Sequence, residues 1–163
     1  MSSISQLRRI LGTCRTIAVV GLSPQWHRPS FFAAKYMQAH GYRIVPVNPL
    51  AQEILGERCF PSVTAAAEAL RHQGVGIDMV DCFRRSEDIP PIVKEAISIG
   101  AKCLWMQLGV INEAAGAQAR EAGLDVVMDR CVKIEHARLF GGLNWAGVNT
   151  RVISSRRPQQ LPY

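Results

Sequence analysis

Five short runs of apolar residues recur along the chain: 16–20 (TIAVV), 43–47 (RIVPV), 77–83 (IDMVDCF), 102–106 (KCLWM) and 124–128 (LDVVM). They are apolar at successive positions rather than at every second one, the pattern of strands covered on both faces. Helical patterns fill the intervals. One runs from Pro29-Ser30 to about His40, with Gly41 as its stop, and a second follows Ser62-Val63-Thr64 through Ala65–Leu70. A third is capped around Ser86–Asp88, carries Pro90 and Pro91 in its first turn and ends at Gly100. Asn112 caps a fourth over 113–122, a fifth follows Cys131, and a short one precedes the first strand, from Ser5 to about Cys14. Polar caps, early prolines and terminal glycines are the punctuation that helices require. Strand and helix in alternation predict βαβ units around a parallel sheet.

The expectation is an α/β, Rossmann-like fold: a doubly wound, mainly parallel five-stranded sheet with helices on both faces. Pro46 sits awkwardly in a strand because it cannot donate to a ladder, so it must lie where a missing donor is harmless. Residues 1–140 form one domain on this reading. The pattern fades in residues 141–163, a tail that is irregular or packed on the domain.

Composition adds exclusions. The chain has 163 residues, 48% hydrophobic and 20% charged, enough for one packed domain. Its net charge of +6 is dispersed, with no basic block to suggest nucleic acid, and suits a small anionic ligand. Five cysteines without a CxxC pair form no disulfide framework and no metal-ligand spacing. No run approaches the ~20 apolar residues of a membrane span. A cytoplasmic location is expected.

Ligands of doubly wound sheets bind beyond the carboxyl ends of the strands, so the residues after each strand are the candidates. Gly21, Leu22 and Ser23 open a loop that reaches Arg28, Pro29 and Ser30 at a helix start, where free N–H groups favour an anion. The loop lacks a complete GxGxxG. The second strand ends in Asn48-Pro49, without the carboxylate that holds an NAD ribose, which disfavours NAD but leaves NADP open. The third ends in Phe83-Arg84-Arg85, two guanidiniums for phosphate beside an aromatic. The fourth ends in Gln107-Leu108-Gly109. Cys131 follows the fifth at the same edge, His136 lies in the last helix, and Trp105, inside a strand, reads as core.

Taken in order, the segments VVGLSPQWHRPS, GYRIVPVNP, ILGERCFPS, IDMVDCFRRSEDIP, AKCLWMQLGV and AGLDVVMDRCVKIEH resemble the CoA-binding domain family. That family is the stand-alone relative of the nucleotide-binding domain in the succinyl-CoA synthetase α subunit. The resemblance spans roughly residues 10–140. It implies coenzyme A or an acyl-CoA as the ligand, held through its ADP and 3′-phosphate: the diphosphate on Gly21–Ser30, the adenosine between Asn48-Pro49 and Phe83-Arg84-Arg85 with Ile89 as a wall, and the pantetheine arm along Gln107-Leu108-Gly109. It transfers binding and not catalysis, since the synthetase's phosphorylated histidine and further domains have no match here. The implied partner is a small-molecule nucleotide rather than nucleic acid or a membrane; a protein partner stays open. Two alternatives stand beside it: an enzyme using Cys131 for thiol or acyl exchange with CoA, and an NADP-binding, oxidoreductase-like protein using Arg84 or Arg85.

Overall fold

The computed structural model describes residues 2–141. In chain order the elements are α1 (Ile4–Thr13), β1 (Thr16–Val20), α2 (Pro29–Ala39), β2 (Arg43–Val47), β3 (Glu53–Ile54), β4 (Glu57–Arg58) and α3 (Val63–Arg71). There follow β5 (Met79–Cys82), a 3₁₀ turn (Ser86–Asp88), α4 (Ile89–Ser98), β6 (Cys103–Met106), α5 (Glu113–Glu121), β7 (Asp125–Val127) and α6 (Val132–Phe140). Ser86–Asp88, expected to cap α4, form a 3₁₀ turn without a side-chain cap, but Ser62 Oγ accepts from Ala65 N–H and Asn112 Oδ1 from Ala115 N–H. Each satisfies a donor that the first helical turn leaves free.

The five long strands form one parallel sheet in the order β2-β1-β5-β6-β7. The chain steps outward from β1 to β2, then crosses back to β5 on the other side of β1. The direction of winding therefore reverses between β1 and β5, which opens a crevice at their carboxyl ends. Alternate residues of each strand point to opposite faces. Ala18, Val45, Val80, Leu104 and Val126 pack with α3, α4 and α5; Ile17, Ile44, Met79, Trp105 and Val127 pack with α1, α2 and α6. Burying such side chains contributes about 1.5–3 kcal/mol for each large one. Trp105 is core, as expected, and its Nε1–H donates to the Arg130 carbonyl at 2.8 Å.

Pro46 is harmless because β2 is an edge strand. Residues 43 and 47 turn their bonding groups to β1, so Pro46 points outward, where its carbonyl accepts from Phe60 N–H at 3.0 Å. The small hairpin β3–β4 has no counterpart in the apolar pattern. Strands β5, β6 and β7 are also shorter than the apolar runs that predict them. Asp78, expected inside the third strand, stands just before β5: its carboxylate accepts from Arg15 N–H (2.8 Å) and Thr16 N–H (3.1 Å) and pairs with Lys102 Nζ (3.1 Å). Residues 142–163 of the expected tail lie outside the described residues.

Candidate functional site

The site begins where β1 stops. Gly21 has φ +84°, and its N–H donates to the Val47 carbonyl at 3.0 Å. A Cβ built on Gly21 would sit 2.3 Å from the Phe83 carbonyl oxygen, so glycine is needed both for the turn and for the approach of the β1 and β5 ends. Beyond it the loop is tied to α2: Ser30 Oγ accepts from Ser23 N–H at 3.0 Å, and Ser23 Oγ accepts from Gln25 N–H at 3.1 Å. Arg28, the N-cap of α2, makes no side-chain cap and instead donates from Nε to Gln25 Oε1 at 3.2 Å.

Between this loop, the end of β5 and the end of β6 lies a cleft of about 920 Å³. Gly21, Ser23, Arg28, Pro29 and Ser30 line one side; Phe83, Arg84 and Arg85 line the second; Gln107 and Leu108 line the third. The two adjacent arginines differ. Arg85 is engaged with Asp88 (3.1 Å) and Glu87 (3.5 Å), and its hydrogen bond and charge hold the Asp88 carboxyl below its usual range. Arg84 is exposed and makes no hydrogen bond or ion pair with the described residues. An unpaired guanidinium in a cleft attracts an anion.

The remaining predicted residues stand elsewhere. Leu22 is fully buried under α2, and Ile89, the first residue of α4, is fully buried in the core rather than forming a wall. Asn48 braces the neighbouring loops, donating from Nδ2 to the Leu22 carbonyl (2.9 Å) and accepting from Leu50 N–H (2.8 Å). Pro49 lines an adjoining hollow of about 540 Å³ that shares Arg84, Arg85 and Asp88 with the cleft. Gly109 donates its N–H to Asp129 Oδ1 at 2.7 Å and does not line the cleft.

Beneath the cleft is a group that sequence reasoning passed over. Asp81, mid-strand in β5, is 2% exposed and accepts from Gln107 Nε2 at 2.6 Å. Burial pushes its carboxyl up to about 7, against the lowering effect of the Gln107 hydrogen bond. Gln107 Oε1 in turn accepts from Val132 N–H, the first of α6, at 3.3 Å. The carboxyl, the amide and the helix start thus lock one another. Pro24, Gln25, Asp88, Val110 and Ile134 complete the lining beyond the predicted set. Ile134 had a signal, an apolar residue off the face of α6 that Val132, Glu135, His136 and Leu139 bury.

Cys131 lies on the cleft wall and is the one cysteine of five that is not buried. His136 is buried away from it, hydrogen-bonded to Tyr36 through Nδ1 (3.0 Å), and burial holds its imidazolium below the usual range. No group of three or more metal-ligating side chains occurs among the described residues.

The sequence and the fold both have counterparts among known proteins. The family model described as CoA binding domain matches residues 15–137, most of the chain. The chain belongs to this CoA-binding family. It is 39% identical over 135 residues to the uncharacterized protein YneT of Bacillus subtilis, covering 83% of this chain and 95% of that one. A hypothetical protein from Pyrococcus horikoshii superposes with a TM-score of 0.78 at 38% identity, over 86% of this chain and 94% of that one. The dinucleotide-forming acetyl-coenzyme A synthetase 1 of Ca. Korarchaeum cryptofilum shares the fold at 19% identity and a TM-score of 0.60, over 76% of this chain and 28% of that one. The expected Rossmann-like fold and family are thereby established. No helix among the described residues is long and apolar enough to cross a membrane.

Proposed function

We propose that the cleft binds coenzyme A, in free or acylated form, through its ADP and 3′-phosphate groups. The observation that carries this reading is the unpaired Arg84 at the winding reversal, opposite a loop closed by Ser23 and Ser30. Family membership supports CoA as the nucleotide. The diphosphate rests against the Gly21–Ser30 loop and the start of α2, where Arg28 offsets its charge. Arg84 takes the 3′-phosphate, and the hollow beside Pro49 receives the adenosine. The pantetheine arm runs past Gln107 and Leu108 towards Cys131.

Among the described residues the cleft holds a single unburied thiol and no carboxylate–histidine pair, and the role assigned to it is binding. The test is calorimetric titration of the purified chain with CoA, dephospho-CoA, NADP and NAD. CoA is expected to bind saturably, dephospho-CoA about tenfold or more weakly for loss of one charge-assisted contact, and NAD not measurably. NADP binding as tightly as CoA would instead favour an NADP protein, and no binding of CoA would remove the proposal.

A further inference from the structure

The cleft is electrically lopsided. Its β1–β5 end carries Arg28, Arg84 and Arg85, with Asp88 paired to Arg85. Its β6–α6 end is walled by Leu108, Val110, Cys131 and Ile134, with the Gln107 amide between them and, among the described residues, no charged side chain. The cations nearest in sequence are engaged elsewhere: Arg130 pairs with Glu135 at 3.2 Å, and Lys133 Nζ lies 6.0 Å and 5.8 Å from the ring centroids of Phe32 and Tyr36. The polar groups of this end also bond within the protein, Gln107 to Asp81 and to Val132 N–H. The first N–H of α6 is therefore not left to attract an anion. Leu108 is 68% and Ile134 49% exposed, large apolar side chains left in water on the wall of one concave site. Single exposed leucines need no explanation, but two on the uncharged half of a polarised cleft define a surface that an apolar group would cover.

We infer that this end receives an uncharged, apolar acyl group, so that the preferred ligand is an acyl thioester of CoA rather than free CoA or the thioester of a dicarboxylic acid. The inference rests on the CoA reading of the cleft, because the pantetheine arm must carry the thioester from the arginine end to this one. The charge asymmetry selects the occupant. A carboxylate on the acyl group would be desolvated here without a cation, whereas methylenes exchange water for Leu108, Val110 and Ile134.

The experiment is calorimetric titration of the whole chain with CoA, acetyl-CoA, hexanoyl-CoA and succinyl-CoA. A fully buried methylene tightens binding by about fourfold, and on half-exposed walls about twofold is expected, so with four more methylenes hexanoyl-CoA should bind about fifteenfold more tightly than acetyl-CoA. Succinyl-CoA should bind more weakly than hexanoyl-CoA by at least the same factor. In Ile134→Asp, a change at a half-exposed position whose folding a thermal melt checks, the hexanoyl-to-acetyl ratio should fall towards one. Equal affinities for all four ligands would overturn the inference while leaving the CoA reading intact, and would hand the apolar wall to another occupant, such as residues 142–163 or a second protein. A chain-length preference that persists in Ile134→Asp would overturn it as well. Failure of every CoA ligand to bind would remove the CoA reading itself.

Discussion

The two ends of the sheet handle charge in opposite ways. At the amino end Asp78 gathers Arg15 N–H, Thr16 N–H and Lys102, tying the starts of β1, β5 and β6 together, while Asp125 at the start of β7 accepts two hydrogen bonds from Arg9 (2.7 and 2.8 Å) and one from Gln6 (3.3 Å). At the carboxyl end Arg85 pairs with Asp88 and Glu87, but among the described residues Arg84 is unpaired, Arg28 has only the neutral Gln25 side chain as partner, and Asp81 is buried with a single amide partner. Burial alone would raise the Asp78 carboxyl, but its backbone and Lys102 hydrogen bonds hold it below the usual range; Asp81, with one hydrogen bond, stays raised to about 7. A charge closed on partners ties elements together, whereas an open one is free to attract an anion.

Substitutions at the two ends should therefore fail differently. The largest effect is expected from Gly21→Ala, which places a Cβ against the Phe83 carbonyl at a left-handed φ. Strain of ~1–2 kcal/mol for the conformation, with backbone overlap added, should lower stability by about 3 kcal/mol or more and abolish CoA binding. Urea denaturation and calorimetry would show both; a variant of unchanged stability would contradict the close approach of β1 and β5.

Asp81→Asn comes next, with the opposite sign. Because the folded carboxyl titrates near 7 and the unfolded one near 3.8, the fold binds the extra proton between these values. Asp81 therefore makes stability fall as pH rises from about 4 to about 7 and contributes no further slope above. Asparagine keeps an acceptor for Gln107 without the charge, so the variant's stability relative to wild type should rise by roughly 4 kcal/mol between pH 4 and pH 8. Parallel denaturation curves at the two pH values check this.

A smaller loss is expected at the amino end. Asp78→Ala leaves two backbone donors without their partner and should cost ~2 kcal/mol at pH 7 while CoA affinity stays unchanged. The Asp78 carboxyl is held low, so its contribution is complete above about 3.8 and disappears as pH falls through the lower folded value. The difference between wild type and Asp78→Ala should accordingly close in strong acid. A change in CoA affinity would blur the division between the two ends.

Much of this was legible in the chain. The five parallel strands announce themselves because helices cover both faces and leave uninterrupted apolar runs, and Gly21, Ser23, Arg28, Ser30, Phe83, Arg84, Arg85, Gln107 and Leu108 were reachable as residues that follow strands. What stayed hidden depends on direction rather than position. Ile89 begins a helix next to the arginines, yet the 3₁₀ turn before it sends its side chain into the core. Asn48 ends a strand but spends both side-chain groups on neighbouring loops. Asp81 is a polar residue in a strand, and nothing local tells whether such a residue meets solvent, a partner or, as here, the amide of Gln107 just past the neighbouring strand. The β3–β4 hairpin has only two residues in each strand, too few for any periodicity.

The central claim is that the open charge at the carboxyl end exists for a CoA phosphate. Titration of CoA into wild type and Arg84→Ala, with a urea denaturation curve for each, tests it most directly. The account predicts an affinity about ten- to a hundredfold weaker in the variant, the loss of a charge-assisted contact, and a stability unchanged within about 0.5 kcal/mol, since Arg84 bonds to nothing within the described fold. Equal CoA affinity in the two proteins, or no CoA binding by either, would contradict it.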